Sequence, residues 1–301
     1  MVGYTGFLYG VRTIGLLHIE RIREDTAILL NASVDTELRL IQEGATGYVH
    51  RYFVAFSAIM VSTLISVPCA VSVMTFFQPC MPPALTSSIV LNCKDWRHDG
   101  DVGLVVRLVL VVYEFYAWMV IMGVVGIGFY VALLYPVEVK LLILDYIEKK
   151  ERYIEPQNDC PHLYKYRVLQ LISTYHNNAW CQPSVQVGMG AVIACETVSL
   201  YILVTSYDRI PVIILLLFII LASDSFVYIQ LLFKILAKPY SKSSDFLKVM
   251  KIEDSSKWVR HFMRSCQPSK LSMGDGKFFD RLTSFVVWQR CIDMLISLLL
   301  M

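Results

Sequence analysis

The stretch YFVAFSAIMVSTLISVPCAVSVMTFF, Tyr52 to Phe77, runs for 26 residues without a charged side chain. A bilayer with a hydrocarbon core about 30 Å thick needs roughly 20 apolar residues for a helical crossing. A buried helix of a soluble domain does not need so long a run. The stretch therefore sets the class as an integral membrane protein. The rest of the chain agrees: 56% of its 301 residues are hydrophobic and 17% charged, with a mean hydropathy of +0.54. Soluble domains hold about 45–50% apolar and about 25% charged residues.

Three further runs match the first. Leu108 to Tyr135 has 28 residues with one charge, Glu114. Ser184 to Ser206 has 23 with one charge, Glu196. Pro211 to Leu236 has 26, with Asp224 inside and Lys234 near the end. In lipid each backbone amide must be bonded within its own segment, so all four are expected to be helices. Phe279 to Met301 is a fifth candidate and carries Asp280, Arg281, Arg290 and Asp293. Two readings stay open from hydropathy: an amphipathic surface helix, or a span with one side on protein or water. The first twenty residues hold Arg12, His18 and Glu20 and no continuous apolar core, so no signal peptide is expected.

Lys and Arg in the connections set the orientation. Residues 1–51, 136–183 and 237–278 hold 5, 6 and 9 of them; residues 78–107 and 207–210 hold 3 and 1. The amino end and the two long connections are thus expected in the cytosol, and the carboxyl end outside. Cys80 and Cys93 then share an external loop, where a disulfide is permitted; paired and free states both stay open. Cys69, Cys195 and Cys291 are expected to be buried in helices, and Cys160, Cys181 and Cys266 to be cytosolic and reduced. The sequon at Asn31 is cytosolic, so no glycan is expected.

The connections have helical periodicity. EVKLLILDYIEKKERY (138–153) repeats at Val139, Leu142, Ile143, Tyr146 and Ile147; LYKYRVLQLISTYHNNAW (163–180) repeats at Tyr166, Leu169, Leu171, Ile172 and Tyr175. The first directly continues the second span and EPQNDCP is a turn, so that span is expected to run out of the membrane, turn and return as another helix. Apolar faces without lipid imply packing on each other or on neighbouring subunits, or else on the membrane surface. Phe246, Val249, Met250 and Ile252, then Trp258, Val259, Phe262 and Met263, mark two more helical stretches before QPSK and GDG break the chain. The GVVGIG at 123–128 lies within a span, which makes it a helix-packing site rather than a nucleotide loop.

Three stretches carry a family resemblance: DTAILLNASVDTELRLI, YRVLQLISTYHNNAWCQPSVQVGMGAVIACETVSLYIL, and SSKWVRHFMRSCQPSKLSMGDGKFFDRLTSFVVWQRCIDMLISLLL. The last has a tryptophan-and-basic cluster, a Cys-x-Pro turn and an aromatic–Asp–Arg lead-in to a terminal helix. Together these resemble the insect odorant and gustatory receptor superfamily over most of residues 25–301. That family has seven spans; the order here matches spans three to seven, so the first two are expected to be missing. The Thr-Tyr and Gln-Phe ending of gustatory members is absent. The resemblance implies an all-α polytopic membrane bundle of about five transmembrane helices with a cytosolic helical anchor. Its parts are a cytosolic amino-terminal region (1–51), a first helical hairpin (52–135), anchor helices (136–183), a second hairpin (184–236), further anchor helices (237–278) and a terminal helix (279–301).

The resemblance also implies a plasma-membrane, ligand-gated, non-selective cation channel. It would open to a small-molecule odorant or tastant and form a homotetramer, or a heterotetramer with a co-receptor, in membrane lipid. Four terminal helices would line the pore. Gln289, Asp293 and Ser297 are spaced i, i+4, i+8 and form one polar stripe; a ring of Asp293 carboxylates attracts cations, and a ring of Leu300 with Ile296 gates by dewetting. The family's outer-half pocket points to Tyr113, Glu114, Tyr116 and Trp118. On a surface helix, Asp293 would instead pair with Arg290 or Arg281. Glu196 and Asp224 would bond to Ser or Thr across helices, because charges in lipid face protein or water.

No enzyme is expected: His162 and His176 stand apart from any metal-ligand pattern, and no nucleophile motif occurs. Neither a cofactor nor nucleic acid is implied at a net charge of +2. The runner-up reading is a fragment of a transporter or a G-protein-coupled receptor. The first would show an internal repeat; the second would place its amino end outside. A non-functional truncated receptor product is the third.

Overall fold

A computed structural model describes residues 10, 13–18, 20–45, 51–80, 103–153, 161–180, 184–205, 207, 212–252, 257–274 and 276–300. Among the described residues the fold is carried by the α-helices α1 (Arg23–Gln42), α2 (Arg51–Phe77), α3 (Leu104–Val125), α4 (Tyr135–Tyr153), α5 (Pro161–Ala179), α6 (Ser184–Thr205), α7 (Val212–Val227), α8 (Phe233–Ile252), α9 (Lys257–Ser265) and α10 (Thr283–Leu299). A small antiparallel hairpin, β1 (Ser272–Gly274) and β2 (Lys277–Phe278), precedes α10. Gly274 and Gly276 flank its turn at φ +95° and +74°, a backbone region that a Cβ disfavours.

Among the described residues, four helical stretches are long and apolar enough to cross a membrane: Ala58–Phe77, Leu104–Val124, Val185–Thr205 and the one running from Ile214 to Met250. They correspond to the four charge-poor runs, and the protein is a membrane-embedded helical bundle. α10, with 17 residues, is not one of the four.

The chain does not break where the apolar runs end. α3 passes through a π-wound segment, Gly126–Leu134, directly into α4. α7 passes through a shorter one, Tyr228–Leu232, into α8. At about 1.5 Å per residue these continuous helices are roughly 70 and 60 Å long, about twice a hydrocarbon core. Half of each therefore belongs to a second layer. π winding needs a local reason, and in the first segment the carbonyl of Ala132 supplies one. Its ordinary i+4 donor would be residue 136, a proline without an N–H. The indole Nε1 of Trp180 donates to that carbonyl instead, at 3.0 Å, in the buried interior.

Two cores follow from this layering. The first joins Val67, Val71 and Met74 of α2, Trp118 and Ile121 of α3, Ile202 of α6 and Ile214, Leu217 and Phe218 of α7. The second joins α1, α4, α5, α8 and α9 through Leu29, Leu40, Ile143, Ile147, Tyr166, Leu169, Ile172, Leu247 and Met263. The helices of the two long connections thus pack on one another, one of the alternatives open from sequence. Leu171 and Val249 lie on outer faces and are exposed.

Polar clamps tie the second layer together. Tyr135 and Tyr146 donate to Glu37 and Glu43 at 2.6 and 2.9 Å, and Lys165 meets Glu43 at 2.5 Å. The sequence HNN at 176–178 lies in the last turn of α5. Asn177 donates to the carbonyl of Lys270 at 2.9 Å and accepts from the N–H of Ser272 at 2.8 Å. Ser173 meets Ser269 at 2.6 Å, and Tyr166 donates to the Gln267 carbonyl at 2.9 Å. This straps the QPSK segment and β1 onto α5.

Within the bundle, Gly126 is where a Cβ would come within 3.3 Å of Leu64, so the GVVGIG stretch is a close approach of α3 to α2 at that glycine. Thr63 of α2 donates to Asp224 of α7 at 3.0 Å, the cross-helix bond expected for that carboxylate. Glu196 is buried; its Oε2 has no hydrogen-bond partner among the described residues.

Candidate functional site: the outer face of the last helix

α10 starts at Thr283, four residues later than the apolar pattern from Phe279 suggested, after a turn built on Asp280. The Asp280 carboxylate accepts from the N–H of Leu282 at 3.0 Å and the hydroxyl of Thr283 at 2.8 Å; the Thr283 hydroxyl accepts from the N–H of Asp280 at 2.9 Å. Of these bonds, the one to Leu282 satisfies the backbone N–H just before the helix, and the other two lock the Asp280–Thr283 turn. Asp280 and Arg281 thus belong to the lead-in, and the helix itself carries two charges, Arg290 and Asp293.

One face of α10 is turned to its own chain. Thr283, Ser284, Val287 and Cys291 are buried there, against α6 and the neck between α7 and α8. Trp288 makes an edge contact with Phe226 at 5.2 Å between ring centres. Cys291, midway along α10, lies beside Glu196 and Thr197, midway along α6. The last helix therefore runs alongside a membrane-crossing helix, midpoint against midpoint.

The polar stripe occupies the opposite face. Gln289, Asp293 and Ser297 are all exposed. Gln289 Nε2 donates to Asp293 Oδ1 at 3.0 Å, and the Ser297 hydroxyl donates to the Asp293 carbonyl at 2.8 Å. Asp293 makes no ion pair with Arg290 or Arg281 among the described residues; Arg281 is held instead by Ser241 and Asp245 at 3.0 and 3.5 Å. Ile296 is half exposed, and Leu300, one turn beyond Ser297 at the capping position, is 83% exposed. The five residues assigned to pore and gate thus share one outward face.

The four pocket residues do not stay together. Glu114 and Trp118 are one turn apart and buried, with Trp118 in the first core. Tyr113 and Tyr116 are exposed on the other side of α3. The spacing explains the split, since i and i+4 share a face and i+2 does not. The indole N–H of Trp118 has no hydrogen-bond partner among the described residues. Cys80 is disulfide-bonded, and its partner lies outside the described residues, as do Cys93, Cys160 and Cys181. Cys195 and Cys291 are free and at least partly buried, as expected of helix positions; Cys69 is free but exposed, so it points out of the bundle.

Two features escaped sequence reading. Lys140, counted there among cytosolic cations, is buried in the second layer with Nζ 2.9 Å from Nδ1 of His176. Burial pushes the lysine down to about 7. It also pushes His176 well below its usual 6.5, and the neighbouring Lys140 acts in the same direction. A helical wheel signals this placement, because Lys140 shares a face with Leu144 and Ile147. The second feature is a groove of about 390 Å³ lined by Lys234, Lys238, Lys242 and Arg281. Another cavity of similar volume lies between α1, α4 and α5, but its lining mixes Asp35 and Glu43 with Arg39, Lys165 and Arg167. Among the described residues, no group of three or more His, Cys, Asp or Glu side chains is placed to hold a metal ion. No protein-family model matches the chain, and neither does any curated protein.

Proposed function

We propose that this chain is a chemosensory receptor subunit that forms a ligand-gated, non-selective cation channel, assembled as a tetramer around four copies of α10. The observation that carries the reading is the placement of the Gln289–Asp293–Ser297 stripe. It lies opposite the face by which α10 packs on its own bundle, so it is available to an assembly axis. α10 is the fifth span in this reading. At about 1.5 Å per residue its 17 residues rise about 26 Å, close to the thickness to be crossed.

In the tetramer the four Asp293 carboxylates concentrate cations in a water-filled conduit. Leu300 and Ile296 narrow its outer mouth. The second layer, with the amino end, is the cytosolic anchor that holds neighbouring subunits, and the carboxyl end is outside the plasma membrane. The ligand is a small odorant or tastant. Glu114 and Trp118 are the inward-facing candidates to meet it, the latter with an unused indole donor. Tyr113 and Tyr116 turn outward, towards lipid or a neighbouring subunit. A Cys80–Cys93 bond would close the external loop.

The test is recording from cells that express this chain alone and with a co-receptor, with Asp293→Asn in parallel. The expected result is a cation current whose permeability to cations relative to anions falls in the variant. A current with unchanged selectivity would remove Asp293 from the conduit. Absence of current in both settings, with surface expression verified, would remove the channel reading itself.

A further inference from the structure

We infer that the groove between α4, α8 and the lead-in to α10 binds the phosphorylated headgroup of an acidic membrane lipid. Its lining carries four cations and no carboxylate. Lys234, Lys238 and Lys242 are spaced i, i+4, i+8, so they form a ladder up one side of α8. Arg281 closes the groove from the hairpin side, with Ser241 and Leu141 between. Its volume of about 390 Å³ falls within the roughly 300–1,000 Å³ usual for small-ligand sites.

The cations are held in place from outside the groove. Lys242 pairs with Asp145 of α4. Arg281 lies 3.5 Å from Asp245 and donates through Nε to Ser241 at 3.0 Å. Glu138 and Asp145 act on Lys238 across the α4–α8 contact. Lys234, in contrast, is exposed and forms no ion pair among the described residues. The three carboxylates position Lys238, Lys242 and Arg281 from behind, and Lys234 adds a cation without an ion pair among the described residues, so the groove keeps a net positive charge and a set of donors for an anionic headgroup.

The position selects lipid over a soluble phosphate. Lys234 is the first cation after the apolar run of α7 and the π-wound segment, and Arg281 lies two residues before Thr283, where α10 begins. Two elements thus reach the groove where apolar sequence gives way to charge, which is the level of lipid headgroups. Basic pockets between helices at that level suit phosphorylated headgroups. The inference does not depend on channel activity.

The experiment titrates a fluorescent short-chain phosphatidylinositol bisphosphate into the full chain held in phosphatidylcholine nanodiscs. A lysine near a membrane surface is worth about a fivefold change in binding. Lys234→Gln and Lys238→Gln should therefore each weaken binding about fivefold, and the pair about 25-fold. Lys257→Gln, on α9 and outside the groove, should leave binding unchanged, and Lys238→Arg should retain it. Equal loss in Lys257→Gln would reveal attraction to net charge alone and overturn the site. So would undiminished binding in the double variant, loss in Lys238→Arg as large as in Lys238→Gln, or phosphatidylserine competing equally well at matched charge. Inositol trisphosphate binding as tightly as the lipid to detergent-solubilised chain would overturn the lipid assignment.

Discussion

Replacing Lys140 with methionine should stabilise the protein at neutral pH and flatten its response to alkali. Lys140 is 1% exposed in the second core, and His176 beside it is fully buried. Burial lowers the lysine from 10.5 to about 7. Between those values the unfolded chain holds a proton that the folded chain has released. Stability therefore rises with pH through that window, by about 1.4 kcal/mol per pH unit and about 5 kcal/mol in all. Below pH 7 both states carry the proton and the lysine adds no further slope. Below about 6.5 His176 takes over, because the unfolded histidine binds a proton that the buried one refuses. Stability should thus fall on acidification in two steps. Methionine fills similar space without a charge to desolvate, but it leaves His176 Nδ1 without its partner, at a cost of about 1–3 kcal/mol. The net gain at pH 7 is about 2–4 kcal/mol, or roughly 3–6 °C in melting midpoint for a chain of this size. Cys266 and Cys291 are free and buried, so a thiol-reactive dye reports their exposure on heating. A variant that melts lower than the parent at pH 7, or that keeps the parent's slope from pH 7 to 10, would refute the argument.

Other substitutions probe the remaining parts. Trp180→Phe keeps the ring packing but strips the donor from the Ala132 carbonyl; a loss of about 1–3 kcal/mol should appear in the same melting assay. Asn177→Ala removes both bonds that hold the Lys270–Ser272 segment. It should cost about 1–3 kcal/mol and speed proteolysis of the hairpin ahead of global unfolding. In the proposed tetramer Leu300→Ala would thin an apolar ring at the end of α10 and should produce current without ligand in voltage-clamped cells; a silent resting state would argue against a gate there.

The spans were legible because lipid makes a severe demand: about twenty residues without charge, in any order, are enough to mark one. What surrounds the spans was less legible. The runs ending at Tyr135 and Leu236 mark only where apolar composition ends; the helical period of EVKLLILDYIEKKERY already carries the second span onward, and α3–α4 does run through Tyr135, whereas the matching run of α7–α8 through Leu236 was not read. At Pro136 the lost hydrogen bond is covered by a tryptophan 44 positions later in sequence, a pairing that no local pattern encodes. The start of α10 was misjudged because Phe279 is apolar, although it is Asp280 that sets the boundary. The i, i+4, i+8 stripe needed only helix geometry, so its shared face could be read directly. The pocket residues were taken from composition around Glu114 without that geometry, and the structure separates them.

The mixed chemistry of the outward face of α10 constrains what can cover it. Lipid alone suits Phe285, Val286, Ile296 and Leu300, all at least half exposed, but a charge such as Asp293 costs about 2.5–3.5 kcal/mol at the centre of a hydrocarbon layer. Water alone suits Asp293, Gln289 and Ser297 but leaves four large apolar side chains wet, at about 25 cal/mol for each Å² exposed. Four copies about one axis meet both demands. The polar stripe then borders a shared aqueous lumen, and the apolar residues flanking it touch the adjacent copies. A helix lying at the headgroup level would also meet both, but it would have to leave the side of α6, where Cys291, Val287 and Ser284 are packed against the bundle. Cysteines introduced at Gln289 and at Phe285 distinguish the two arrangements. The conduit predicts that a water-borne charged thiol reagent modifies position 289 much faster than 285; equal rates at both would fit a helix bathed by the interface and would dissolve the case for a pore.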